Sequence, residues 1–190
     1  MPSMSEQLRF IFRLASTTIY RYDRAMGNDF TPVPVTAPIV TPGQNCWQIR
    51  NFYVTAQPTE AGLAVAANLG IKSIVCLRDA AEPAKPPYPA FDPNEDATLT
   101  ALEVSFVNIP FPHGISQDQF NVRAGAVLAV LNRLPQPLLM HCSSGDRASV
   151  LWAIHLIITC GLTTEESIAY ATLSGLAVFT SYVQNYSPPC

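Results

Sequence analysis

The run Ile74-Val75-Cys76-Leu77 constrains this chain more than any other stretch. An apolar run without polar alternation suits a strand buried on both faces, and such a strand needs helices above and below it. The flanking segments supply them. Gln57-Pro58-Thr59-Glu60 opens a helix whose inner face is Leu63, Ala66, Ala67 and Leu69, with Gly70 at its end. Ser116-Gln117-Asp118-Gln119 is a capping box for a helix running to about Leu134, with Phe120, Ala124, Val127, Leu128 and Leu131 inward. Pro137 to His141 is another short apolar strand, followed by an apolar helix from Ala148 to Thr159 that Gly161 stops. A second capping box at Thr163 to Glu166 opens a helix to about Ser174, and a last helix spans about Ala177 to Tyr186. With strands at Trp47 to Thr55, Ile71 to Leu77 and Val104 to Pro110, and a short helix at Thr98 to Glu103, the pattern predicts an α/β fold. Its sheet is central, largely parallel and flanked by helices.

Composition narrows the class. At 190 residues and 48% apolar the chain is one domain, or one with an appendage, with a sizeable core, which excludes a disordered chain. Only 13% of residues are charged and the net charge is -3, so no nucleic-acid partner is expected. Five cysteines, an odd number, exclude a small disulfide scaffold and predict a reducing, cytoplasmic setting. Residues 1–43 read as an N-terminal helix plus a proline-rich extension carrying Pro32, Pro34, Pro38 and Pro42, and residues 44–190 as the catalytic domain. Arg9 and Arg13 interrupt the apolar stretch near the N-terminus, leaving it too short to span a bilayer. An amphipathic helix docked on the domain is expected there, with a membrane-surface helix as the alternative. The segment from Arg78 to Thr98, with Pro83, Pro86, Pro87, Pro89 and Pro93, reads as a long irregular loop. It is either a cover for a functional site or a surface insertion.

One contiguous stretch carries chemistry. The strand Leu138-Leu139-Met140-His141 delivers Cys142 to the loop Ser143-Ser144-Gly145-Asp146-Arg147, and a helix follows. A small glycine-containing loop at a helix N-terminus turns its amides inward and makes an anion cradle. The Cys142 sulfur sits at its lip, where the amides, the helix dipole and Arg147 favour the thiolate. Arg147 suits two oxygens of a phosphoryl group at once. The stretch therefore pairs a nucleophile with an oxyanion receptor.

His141-Cys142-Ser-Ser-Gly-Asp-Arg147-Ala-Ser resembles the signature of cysteine-dependent phosphatases, one residue shorter than the usual Cys-x5-Arg. The short loop is similar to that of the nonclassical bacterial dual-specificity and tyrosine-phosphatase-like family, whose domain is also found fused to beta-lactamase-like hydrolases. Phe52 to Pro58, Leu69 to Arg78, Phe106 to Pro110 and Ala171 to Leu176 extend the likeness over about residues 46–178. The resemblance implies a metal-independent phosphatase without cofactor that hydrolyses phosphate monoesters. Phosphotyrosine-like aryl phosphates, on a protein or a small ester, head the expected substrates. Cys142 would form a thiophosphate intermediate, with Ser143, Ser144, Gly145, Asp146 and Arg147 holding the phosphoryl group. No His, Cys and carboxylate residues show metal-ligand spacing in the sequence.

The general acid is less plain. The family places an Asp three residues past the proline that ends the preceding strand; here that position is His113. A histidine works near neutral pH. Asp118, in the first turn of its helix, and Asp79, after a strand end, follow as candidates. Ala148 stands where the family has a hydroxyl that eases thiolate departure, and Ser149 is the substitute considered. Asp146 is expected to point outward, since an inward carboxylate would repel phosphate. His141 either tunes Cys142 or packs as a core histidine, and His155 is expected to be structural. Cys76 stands where related phosphoinositide phosphatases carry a protective partner thiol, which implies a possible Cys76–Cys142 disulfide. Two other functions compete: a rhodanese-type sulfurtransferase using a Cys142 persulfide, and a catalytically silent phosphate-binding module.

Overall fold

A computed structural model describes residues 30–83, 86, 88–174 and 180–188. The expected N-terminal helix, and with it any membrane contact of that segment, lies outside the described residues. Six strands form one sheet: β1 (Val33–Pro34), β2 (Cys46–Ile49), β3 (Phe52–Thr55), β4 (Ser73–Cys76), β5 (Ser105–Asn108) and β6 (Leu138–His141). Their order is β1-β2-β3-β6-β4-β5. Strands β3, β6, β4 and β5 run parallel to one another, whereas β1 and β2 add an antiparallel edge. The sheet is thus mixed and mostly parallel. The segment expected as one or two strands from Trp47 divides at a tight turn where Arg50 takes φ 55.

Strand alternation divides the core. Val54, Val75, Leu77, Leu138 and Met140 join one buried cluster, completed by α3 (Gln117–Leu131), α4 (Asp146–Cys160), α5 (Thr164–Leu173) and α6 (Thr180–Gln184). Tyr53, Ile74 and Leu139 face the other cluster, against α1 (Glu60–Asn68) and α2 (Glu95–Ala101). The two strands read as apolar runs, β4 and β6, are buried along their whole length. All five residues expected on the inner face of α3 are buried, and both capping boxes form as expected, at Ser116 with Gln119 and at Thr163 with Glu166. Among the described residues no helix is long and apolar enough to cross a membrane.

Four expectations shift. The boundary at residue 44 falls inside the packed body, because β1 pairs with β2 and both Phe30 and Ile39 are buried. Leu69 caps α1 and is exposed instead of inward, while Leu63 and Ala66 keep the buried face. Helix α2 begins at Glu95 instead of Thr98, so the irregular loop is shorter than the prolines suggested. Helix α4 begins at Asp146 instead of Ala148, which puts Arg147 in its first turn.

Candidate active site

Strand β6 lies between β3 and β4 and ends at His141, so Cys142 emerges at the centre of the sheet's C-terminal edge. Ligand sites of open α/β sheets sit at this edge. The loop must then reverse the chain into α4 within three residues. Gly145 makes that turn at φ 97, a left-handed conformation that glycine adopts without strain. A side-chain carbon there would lie against the backbone of Thr55 and Ala56, at 3.4 Å. The turn aims the Gly145 N–H at the sulfur, which accepts it at 3.1 Å. The Ser143 carbonyl points out of the loop and accepts from Gln57 N at 3.1 Å.

Arg147 is only 4% exposed and its guanidinium is fixed from four directions. Nη1 donates to the carbonyls of Phe111, at 3.0 Å, and Leu77, at 3.4 Å. Nη2 donates to Glu82 Oε1 at 2.8 Å and to Ser143 Oγ at 3.2 Å. Glu82 comes from the long loop after β4 and also pairs with the fully buried Arg78 at 3.4 Å. Burial pushes the Glu82 carboxyl up, but the hydrogen bond and charge of Arg147, then Arg78, outweigh it and leave the group below its ordinary value. Asp146 accepts from Ser144 Oγ at 2.8 Å, so its carboxylate is engaged within the loop.

Behind the loop lies a second buried polar group. His141 is fully buried, and its Nε2 stands 2.8 Å from Glu95 Oε1, itself in a residue 1% exposed. The other Glu95 oxygen accepts from Gln57 Nε2 at 3.4 Å, and Gln57 Oε1 accepts from Arg78 at 3.3 Å. Burial would lower the His141 pKa; the Glu95 carboxylate, and next Cys76, raise it well above the ordinary imidazole value. Cys76, Glu95 and His141 each bring a donor atom within 4.8 Å of the others, a convergence their sequence separation hides. Glu95 and His141 are spent on each other, so the trio reads as a buried ion pair beside a thiol.

The sequence-derived candidates separate clearly. Cys142, Ser143, Ser144 and Gly145 form the turn out of β6, and Asp146 and Arg147 open α4 directly after it. His113 is exposed and lines a cavity that Arg147, Phe111, Phe120, Val150 and Tyr182 also line. Asp118 is exposed in the first turn of α3 and is not among the residues lining that cavity. Asp79 is exposed too, and its carboxylate accepts from Ala81 N at 2.9 Å in a local turn. Ser149 is buried and donates to Ser174 O at 3.4 Å, which commits its hydroxyl to the last turn of α5. Cys76 and Cys142 are both free thiols; Cys76 shares the sheet face of its register partner His141, while Cys142 joins the cluster on the other face. His155 packs against Phe52 and Trp152, and burial pulls its pKa down to about 4, as suits a structural residue. Glu82, Glu95, Gln57 and Arg78 escaped the sequence reading. A helix start at Asp92-Pro93-Asn94-Glu95, where the Asp92 side chain accepts from Asn94 N, was the signal available for Glu95.

Solved structures share this fold over most of the chain. P. aeruginosa TpbA superposes with a TM-score of 0.56 at 19% identity, covering 80% of this chain and 90% of that one. A candidate phosphatase from Neisseria meningitidis gives 0.57 at 24%, covering 78% and 97%. The catalytic core of the PP-IP phosphatase SIW14 from S. cerevisiae gives 0.54 at 17%, covering 78% and 88%. No curated protein matches the chain in sequence. Residues 47–158, which span β2 through most of α4 and include the whole phosphate-loop candidate, match the family model of the phosphatase-like domain of beta-lactamase hydrolase-like proteins. This chain therefore belongs to that family of phosphatase-like domains.

Proposed function

We propose that this domain hydrolyses phosphate monoesters, aryl esters such as phosphotyrosine foremost, through a covalent intermediate on Cys142. The observation that carries the reading is the Gly145 N–H donated to the Cys142 sulfur at the N-terminus of α4, one turn from a buried Arg147. Amides and a helix dipole aimed at one sulfur favour its nucleophilic, anionic form. In the first step the sulfur attacks phosphorus, an S–P bond forms, the ester P–O bond breaks and the leaving oxygen takes a proton. In the second, water attacks phosphorus, the S–P bond breaks and inorganic phosphate leaves. The loop amides and Arg147 stabilise the equatorial oxygens as charge develops.

His113 is the favoured proton donor, because of the three candidates it is the one lining the same cavity as Arg147. Asp118 is second. An aryl leaving group needs that proton least. TpbA has been solved with phosphotyrosine, which supports the same class here.

Aryl phosphate turnover by the unmodified chain and by Cys142→Ser tests the reading. Loss of the nucleophile is expected to remove at least about a thousandfold of the rate. Turnover that survives in Cys142→Ser sinks the assignment. Thiocyanate formation from thiosulfate and cyanide, without phosphate release, would transfer the same sulfur to persulfide chemistry.

A further inference from the structure

Two buried histidines of this chain have opposite surroundings. Among the described residues His155, packed between Phe52 and Trp152, has no carboxylate partner, and burial pulls its pKa down to about 4. His141 is buried as deeply, yet Glu95 stands 2.8 Å from it. A buried carboxylate is costly unless it is paired and hydrogen-bonded. Glu95 meets both conditions, and both of its partners belong to the shoulder of the phosphate loop. One is His141, the residue before Cys142. The other is Gln57, whose side chain reaches Glu95 Oε2 at 3.4 Å and whose backbone N–H holds the Ser143 carbonyl at 3.1 Å. A single side chain from α2 thus braces the residues on either side of the sulfur.

We propose that Glu95 is a positioning residue for Cys142, acting through His141 and Gln57: it keeps a positive charge behind the nucleophile and holds the loop's first carbonyl outward so that the amides face in. The groups around His141 are few. Helix α2 presents Glu95, β4 presents the Cys76 thiol, and β3 presents the Thr55 hydroxyl, which is given to Asn45 O at 3.0 Å. Beyond Gln57 lies the Arg78 guanidinium. Among these Glu95 supplies the negative charge that keeps a buried imidazole protonated. Without it His141 moves toward the neutral state of His155.

The proposal rests on Cys142 as the reactive group, but its test does not need phosphatase activity. Alkylation of Cys142 by iodoacetamide is followed from pH 5 to 8, with peptide mapping to separate it from the other thiols. In Glu95→Gln the rate at pH 6 is expected to fall about tenfold, one unit along the pH axis. Glu95→Asp should recover part of that loss, since it restores the charge with a shorter reach. In a His141→Asn background, Glu95→Gln should shift the profile less than it does alone, the remainder passing through Gln57. A Glu95→Gln chain that melts earlier but alkylates Cys142 with an unshifted pH profile overturns the proposal and leaves Glu95 a core strut. If Glu95→Gln does not fold, an unshifted profile in His141→Asn, which removes the imidazole that Glu95 holds, overturns it equally. Absent aryl phosphate turnover in the unmodified chain, with a shifted profile in the variant, would instead reject the phosphatase reading alone.

Discussion

Arg147 serves two carbonyls, a hydroxyl and a carboxylate at once, and the carboxylate is the partner that titrates. The Glu82 carboxyl lies below its ordinary value in the folded chain, so it stabilises the fold above the unfolded value of about 4.3 and ceases to do so as pH falls through the folded one. His141 has the opposite sign. Its folded pKa is raised, so its contribution is complete below about 6.5 and is lost as pH climbs through the folded value. Thermal melts from pH 3 to 10 should therefore show two different defects. Glu82→Gln should melt lower at pH 7 but lose less on acidification than the unmodified chain. Glu95→Gln should melt lower at pH 6, with the gap closing in alkali. Parallel curves for either variant would mean that its ion pair contributes nothing to the fold. These pairs also show why half of the site was hidden in the sequence. Cys142 and Arg147 have four residues between them, so strand, turn and helix announce them locally. Glu82 meets Arg147 from the stretch after β4 and Glu95 meets His141 from the start of α2, contacts distant in sequence that no periodicity encodes.

At the scale of elements, the join between β6 and α4 decides whether the site exists. Most helices begin with a side chain that caps the first amides. The N-cap of α4 is Gly145, which has no side chain to do so, and its own amide turns to the Cys142 sulfur. The sheet made this join legible, since a buried strand must end somewhere and a small glycine loop is the shortest route into a helix. The start of α4 was misplaced by two residues because Asp146 and Arg147 look like loop, although an acidic residue in a first turn agrees with the helix dipole. Gly145→Ala tests the join. A left-handed alanine costs about 1–2 kcal/mol, and its methyl would lie against the Thr55–Ala56 backbone at 3.4 Å. The melting temperature should drop by that modest amount. Activity should drop further, by at least about tenfold, since about 1.4 kcal/mol of misdirected amide is enough for that. A lower melting temperature with unchanged activity would show that the glycine serves the fold and not the nucleophile.

For the whole molecule, the proline-rich segment before β2 is the part whose meaning changed. Proline density led to an extended connector outside the domain, and the local conformation is indeed extended. Extension does not imply separation, however. Val33 and Pro34 pair with the sheet edge, where a proline's missing donor costs least. Phe30 packs edge-on against Trp152 and Tyr170, at 6.3 and 5.8 Å, under the Arg50 guanidinium at 4.2 Å. Ile39 is fully buried on the opposite sheet face, and its carbonyl accepts from Thr59 N at 3.0 Å at the start of α1. Gly62 lies so close to that carbonyl that any side chain there would run into it, so helix and segment are fitted to one another. The segment thus ties both core clusters across the sheet edge farthest from β5, and β3, which pairs with β6, inherits its rigidity. Phe30→Ala and Ile39→Ala should each cost about 2–5 kcal/mol of unfolding free energy, the range for emptying a packed site. Chemical denaturation of the full chain measures it. Losses below about 0.5 kcal/mol, the scale of an ordinary surface change, would return the segment to the role of a loose connector.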